Sequence, residues 1–93
     1  MNLNAYLTQA GRGAAAALAQ KVGVHPVMVS QWSAEKSPKA VAFERCAELE
    51  RATDGAVTCE ELRPDLQWGR MADPNWPWHP KGRPVLEIAK VAA

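Results

Sequence analysis

Residues 18–32 read L-A-Q-K-V-G-V-H-P-V-M-V-S-Q-W, and this stretch decides the fold. Ala19 lies mid-helix, Gly23 follows four residues later, and Val29 and Trp32 come six and then three residues further on. Alanine is the smallest side chain that still favours helix, so a second helix can cross directly above it. Glycine tolerates the left-handed backbone that ends one helix and turns the chain within a few residues. Val24 fills the angle between the helices, and Val29 with Trp32 anchors the second helix from below. The physical reading is a helix-turn-helix. Its geometry leaves the outer face of the second helix free to enter a DNA major groove.

Helical spacing continues on both sides. Leu3, Tyr6, Leu7 and Ala10 recur at i, i+3, i+4 and i+7, one face of a first helix that Asn2 or Asn4 caps and Gly11 ends. Ala15, Leu18, Ala19 and Val22 repeat the pattern over about 13–22. Gly23-Val24-His25 is the turn, and Pro26 suits the first position of the next helix, where its missing N–H is not needed. That helix is expected to run to about Ala34. Ser37-Pro38 repeats the start signal for a fourth helix, with Ser37 as N-cap. This helix carries Ala42, Phe43, Cys46, Ala47 and Leu49 on one side, and Asp54-Gly55 closes it. Thr58-Cys59-Glu60-Glu61 has capping-box spacing and opens a short fifth helix that Pro64 stops. The expected fold class is all-α: a compact five-helix domain over residues 1–66.

The composition changes after Leu66. Trp68, Trp76 and Trp78 fall here, and prolines at 74, 77, 80 and 84 forbid regular helix and favour extended backbone. Residues 67–93 therefore read as an extended, Trp/Pro-rich C-terminal tail. Such large apolar surface is normally buried against something, which argues against disorder.

The chain has 93 residues, a net charge of +1 and a hydrophobic fraction of 47%, which excludes a wholly disordered chain. No apolar run approaches a membrane span, and M-N-L-N-A-Y lacks the pattern of a signal peptide, so a cytoplasmic chain is expected. Cys46 and Cys59 then read as reduced thiols. Charge is unevenly spread. Residues 1–43 carry +3, residues 44–73 carry −4, and the last twenty carry +2. The basic segment contains the helix-turn-helix, and a positive face opposed by an acidic back can bind phosphate at little net charge.

Residues 18–32, taken with the downstream E-R-C-A-E-L-E-R-A-T-D-G-A-V-T-C-E-E-L-R-P-D, resemble the lambda-repressor/Cro-like helix-turn-helix regulators. Phe43–Asp65 is similar to the YdaS-type antitoxin and phage-regulator branch, whose members often end this domain in G-x-V-T-x-E-x-L-R-P-D. The resemblance covers roughly residues 1–66. It implies a lambda-repressor-like DNA-binding transcriptional regulator, usually a repressor, of prophage or toxin–antitoxin type. One departure is His25, where the family commonly has a capping serine or threonine.

On a helix starting at Pro26, steps of about 100° turn Met28, Val29 and Trp32 inward. Val27, Ser30 and Ala34 point out, with Gln31 on the flank. The candidate base contacts are Pro26, Val27, Ser30, Gln31 and Ala34. Glutamine pairs bidentately with adenine, and Val27 suits a thymine methyl. Each residue also has a plainer reading as ordinary helix surface, and Ser30 as a serine bonded to its own helix. The candidate phosphate contacts are Arg12, Lys21, His25, Lys36 and Lys39, with the first amides of the second helix. Most lysines are simply solvated; Lys36 and Lys39, just after the recognition helix, are the stronger candidates. Arg45 and Arg51 lie among acids and read as surface ion pairs.

Nothing points to an enzyme, a metal or a cofactor. Cys46, Cys59, His25 and His79 lack ligand spacing, and there is no glycine-rich phosphate loop or G-x-S-x-G. The expected partner is an operator in double-stranded DNA, bound by a homodimer with recognition helices about 34 Å apart. The tail is a candidate dimer interface, through Leu86 and Ile88 pairing as strands or through its tryptophans. The alternative is a protein-interaction module, neutralising a toxin or holding another partner through the acidic face or tail.

Overall fold

The computed structural model describes residues 1–34, 36 and 39–86. Its elements are α1 (Leu3–Ala10), α2 (Ala14–Val22), α3 (Pro26–Trp32), α4 (Phe43–Ala52), α5 (Cys59–Leu62), β1 (Trp68–Met71) and β2 (Arg83–Leu86). No described helix is long and apolar enough to cross a membrane.

Local chemistry sets most of the boundaries. The Asn2 side chain accepts the Ala5 N–H at 2.7 Å and starts α1. Gly23 takes φ +82° at the end of α2, and both its N–H and that of Val24 donate to the Ala19 carbonyl, at 2.8 and 3.0 Å. Thr58 and Glu61 form the complete capping box of α5. The helices close on a core that includes Leu18, Ala19, Val29, Trp32, Cys46 and Leu49, with Ala19 buried where α2 meets α3.

Three expectations change. Helix α3 stops at Trp32, short of Ala34, because the Ser33 hydroxyl donates back to the Val29 carbonyl at 2.9 Å and Asn4 on α1 grips the Ser33 carbonyl at 2.9 Å. Ser37 and Pro38 lie outside the described residues, but α4 starts at Phe43, with Ala42 as its N-cap and no side-chain capping bond. The segment before it is pinned and non-helical. Lys39 N–H bonds the Gln31 carbonyl at 3.0 Å, Val41 is buried, and Arg63 donates to the Val41 carbonyl at 2.8 Å. Ala42 and Phe43 are accordingly exposed, and the apolar stripe of α4 begins at Cys46.

The third change is the largest. The five helices are present, but all-α gives way to helices plus an antiparallel hairpin, with Trp68 opposite Leu86, Gly69 opposite Val85, Arg70 opposite Pro84 and Met71 opposite Arg83. The hairpin is bolted to the helices through one guanidinium. Arg70 donates to both carboxylate oxygens of Glu50 at 2.6 and 2.7 Å and to both of Glu60 at 2.6 and 3.1 Å. Its last donor reaches the Gly82 carbonyl at 3.1 Å, so all five N–H groups of the guanidinium are used. Glu50 is fully buried and also accepts from the Cys59 amide at 3.1 Å and the Trp76 indole at 2.7 Å. Trp76 meets Trp78 edge to face at 4.7 Å. The Trp78 carbonyl lies so close to Gly55 (φ +81°) that an added Cβ there would sit 2.0 Å from the oxygen. All three tail tryptophans are half-buried: Trp68 packs against the helical core and donates its indole N–H to the Arg63 carbonyl at 2.9 Å, while Trp76 and Trp78 lie against each other.

Burial alone would push the Glu50 carboxyl up, but the hydrogen bonds from Arg70, Trp76 and the Cys59 amide, with the Arg70 charge, hold it below the usual carboxylate range. The native carboxylate thus binds a proton more weakly than the unfolded one. The stability it contributes is complete above the ordinary glutamate value and is lost as pH falls through the native one. Urea midpoints measured from pH 7 down to 3 are expected to fall with acid. Glu50→Gln, less stable at neutral pH, should show a shallower slope. Part of the slope remains, because Glu60 and Glu61 are held low as well.

Candidate nucleic-acid interface

Helix α3 is held by its inner side. Val29 is 0% and Trp32 8% exposed, whereas Val27 is 53% and Met28 40% exposed. Ser30 is exposed and Gln31 half-buried. Val27 and Ser30 therefore lie on the side opposite the anchors, with half-buried Gln31 on the flank, as their spacing predicts. Met28 does not follow its expectation. It lies one step from Val29 and four before Trp32, on the border of the buried arc, and the core ends at its neighbours. Taking the bisector of the two strongest anchors, Val29 and Trp32, places Met28 on the flank from sequence alone.

The start of α3 resolves the departure at His25. The His25 Nδ1 accepts the Val27 N–H at 3.1 Å, so the imidazole supplies the cap that a serine or threonine hydroxyl would otherwise give. In the neutral ring that leaves the proton on Nε2, an outward donor beside Pro26 at the N-terminus of the helix. Both residues are exposed. Ala34 lies past the end of α3 and is half-buried, lining a cleft with Trp32, Ser33 and Lys39, so it is not on the outward helical face.

The predicted cations surround the helix-turn-helix in sequence and are all exposed. Arg12, in the turn between α1 and α2, and Lys21, in the last turn of α2, line one open cleft of about 280 Å³ with Tyr6 and Ala14. Lys36 and Lys39 follow α3. Arg45 pairs with Glu48 at 2.8 Å on α4, with both side chains 38% exposed. The thiols face the core: burial pushes Cys46 up to about 11 and Cys59 higher still, so neither is a ready nucleophile. Among the described residues there is no group of three or more His, Cys, Asp and Glu that could hold a metal ion. What this surface offers is an outward helical face bearing one hydroxyl, with one amide on its flank and exposed cations before and after it in the sequence.

Known proteins agree with this arrangement. Over 56 residues the chain is 48% identical to the Escherichia coli (strain K12) protein described as "Putative transcriptional regulator YdaS". That match takes in 60% of this chain and 55% of the relative, so the chain spans about half the length of the curated relative it matches. Among solved structures it is similar to "the Cro protein from putative prophage element Xfaso 1 in Xylella fastidiosa strain Ann-1", at TM-score 0.54 and 42% identity, over 70% of this chain and 94% of that one. The family described as "Bacterial toxin YdaS" matches residues 8–71, a stretch that runs from α1 through β1. With that match, and with a helix-turn-helix similar in fold and sequence to a Cro protein, this chain belongs to the YdaS family.

Proposed function

We propose that this chain is a sequence-specific double-stranded-DNA-binding transcriptional regulator. It acts in the cytoplasm as a repressor of prophage or toxin–antitoxin type, by occupying an operator and excluding polymerase. The observation that carries this reading is α3, anchored through Val29 and Trp32 and bare on the opposite side. The relatives described as a transcriptional regulator and as a prophage Cro protein are in line with it. Residues 1–66 form the DNA-binding unit. Pro26, Val27, Ser30 and Gln31 are proposed to meet base edges, and Arg12, Lys21, His25, Lys36 and Lys39 the phosphates; Ala34, off the outward face, is left out. Two copies read a twofold-symmetric site, with recognition helices about 34 Å apart.

The test is site selection from a random duplex pool at two salt concentrations, with wild type and Gln31→Ala side by side. Wild type is expected to enrich a palindromic site. The variant should lose about 1–3 kcal/mol at the base pair Gln31 reads and relax its selection there. The family description as a toxin favours a second reading, in which the fold serves a protein partner without base readout. That reading predicts only salt-sensitive background binding, unchanged by the substitution.

A further inference from the structure

The first turn of α3 is unusual in what it lacks. A surface that meets base edges ordinarily needs donors and acceptors, yet Pro26, Val27 and Met28 are three consecutive exposed residues with no hydrogen-bonding side-chain group. Among the described residues, Val27 and Met28 are two of the large apolar side chains left in solvent, at 53% and 40%. The core does not need them there, since Val29 and Trp32 already hold the helix. On the helix, Val27 stands four residues and Met28 three residues before Gln31, the neighbour spacings along a helical surface. An amide head group thus sits one turn beyond two apolar side chains.

Resting on the DNA-binding reading above, we propose that the first turn of α3 reads the C5-methyl groups of pyrimidines, with Val27 and Met28 packing on thymine methyls beside the base pair that Gln31 bonds. The methyl is the one apolar group a base pair shows in the major groove, and a branched and an unbranched aliphatic side chain suit it. Charge complementarity makes duplex DNA the occupant of this apolar face: the exposed Arg12, Lys21, Lys36 and Lys39 belong to the same basic segment, residues 1–43, and the Lys39 amide bonds the Gln31 carbonyl. The operator half-site is therefore thymine-bearing where the first turn lies. 5-Methylcytosine presents the same methyl on a different base.

The probe is the duplex recovered by site selection, remade with deoxyuridine in place of each thymine in turn. Uracil pairs as thymine does and lacks only the methyl. For wild type, affinity is expected to drop about fourfold for each contacted methyl, the worth of one buried carbon. Val27→Ala with Met28→Ala binds more weakly overall, and its thymine-to-uracil ratio should fall to about one at the same positions. Both residues are exposed, so the variant keeps its thermal midpoint, which calorimetry checks. A cytosine placed at such a position binds poorly, and 5-methylcytosine recovers part of the loss. A selected site that wild type binds equally well with thymine or uracil throughout overturns this inference and leaves the regulator reading standing. Failure to select any site overturns the regulator reading, and this inference with it.

Discussion

Arg70→Ala is expected to cost about 3–5 kcal/mol of folding stability, because it strands a buried charge that it formerly paired. Glu50 is fully buried and Arg70 is 6% exposed, so neither has water to fall back on. Without the guanidinium, Glu50 keeps only the Cys59 amide and the Trp76 indole as donors. A small domain holds about 5–15 kcal/mol in all, so the variant should be part unfolded at modest urea. The double replacement Glu50→Leu with Arg70→Met removes both charges at similar volume and is expected to recover part of the loss, since the Cys59 amide and the Trp76 indole then lack their acceptor. Chemical denaturation followed by tryptophan fluorescence reads both, since Trp76 reports on the same network. A cost under about 1 kcal/mol for Arg70→Ala, as exposed ion pairs show, would mean that the hairpin is held by other contacts.

Trp32→Ala and Met28→Ala form the second pair, four residues apart on one helix with opposite outcomes. Trp32 is 8% exposed and forms part of the platform under α3, so its truncation is expected to cost about 3–5 kcal/mol. Met28 is 40% exposed, and its truncation should leave stability within about 0.5 kcal/mol of wild type. DNA affinity then separates the roles. Trp32→Ala loses binding in step with its folded fraction, whereas Met28→Ala stays folded and loses affinity only for thymine-bearing sites. Thermal melts and titrations at one salt concentration suffice. Equal destabilisation by both would place Met28 in the core after all.

What was legible in the sequence was what is decided locally. Ala19, Gly23 and Pro26 fix the angle and start of α3 within a few residues, and the Thr58–Glu61 box needs only its own turn. His25 shows the limit of a residue-type rule, since a ring nitrogen does the work of a hydroxyl oxygen. Glu50 was not legible. Between Leu49 and Arg51 it reads as solvated helix face, and its burial depends on Arg70, twenty residues later, and Trp76, twenty-six later. The start of α4 failed for a related reason. Ser37-Pro38 has the right local chemistry, but the Lys39 and Arg63 bonds pin the chain beyond it, and neither partner is a sequence neighbour. At the interface the outward arc of α3 was readable from its period, and Met28 from the bisector of its two anchors, whereas Ala34 turned on where the helix ends.

Pro84, opposite Arg70 in the hairpin, bears on how copies of this chain can meet. Proline has no N–H, and within a strand it is accommodated where that position faces the unpaired side. The outer border of β2 therefore carries a gap midway in its row of donors. An incoming strand, from a second copy or from a misfolded neighbour, finds a missing rung there and gains less than it would along an unbroken border. Sheet growth on that side is self-limiting. A second copy of this chain thus gains less by extending the hairpin through β2 than it would along an unbroken strand.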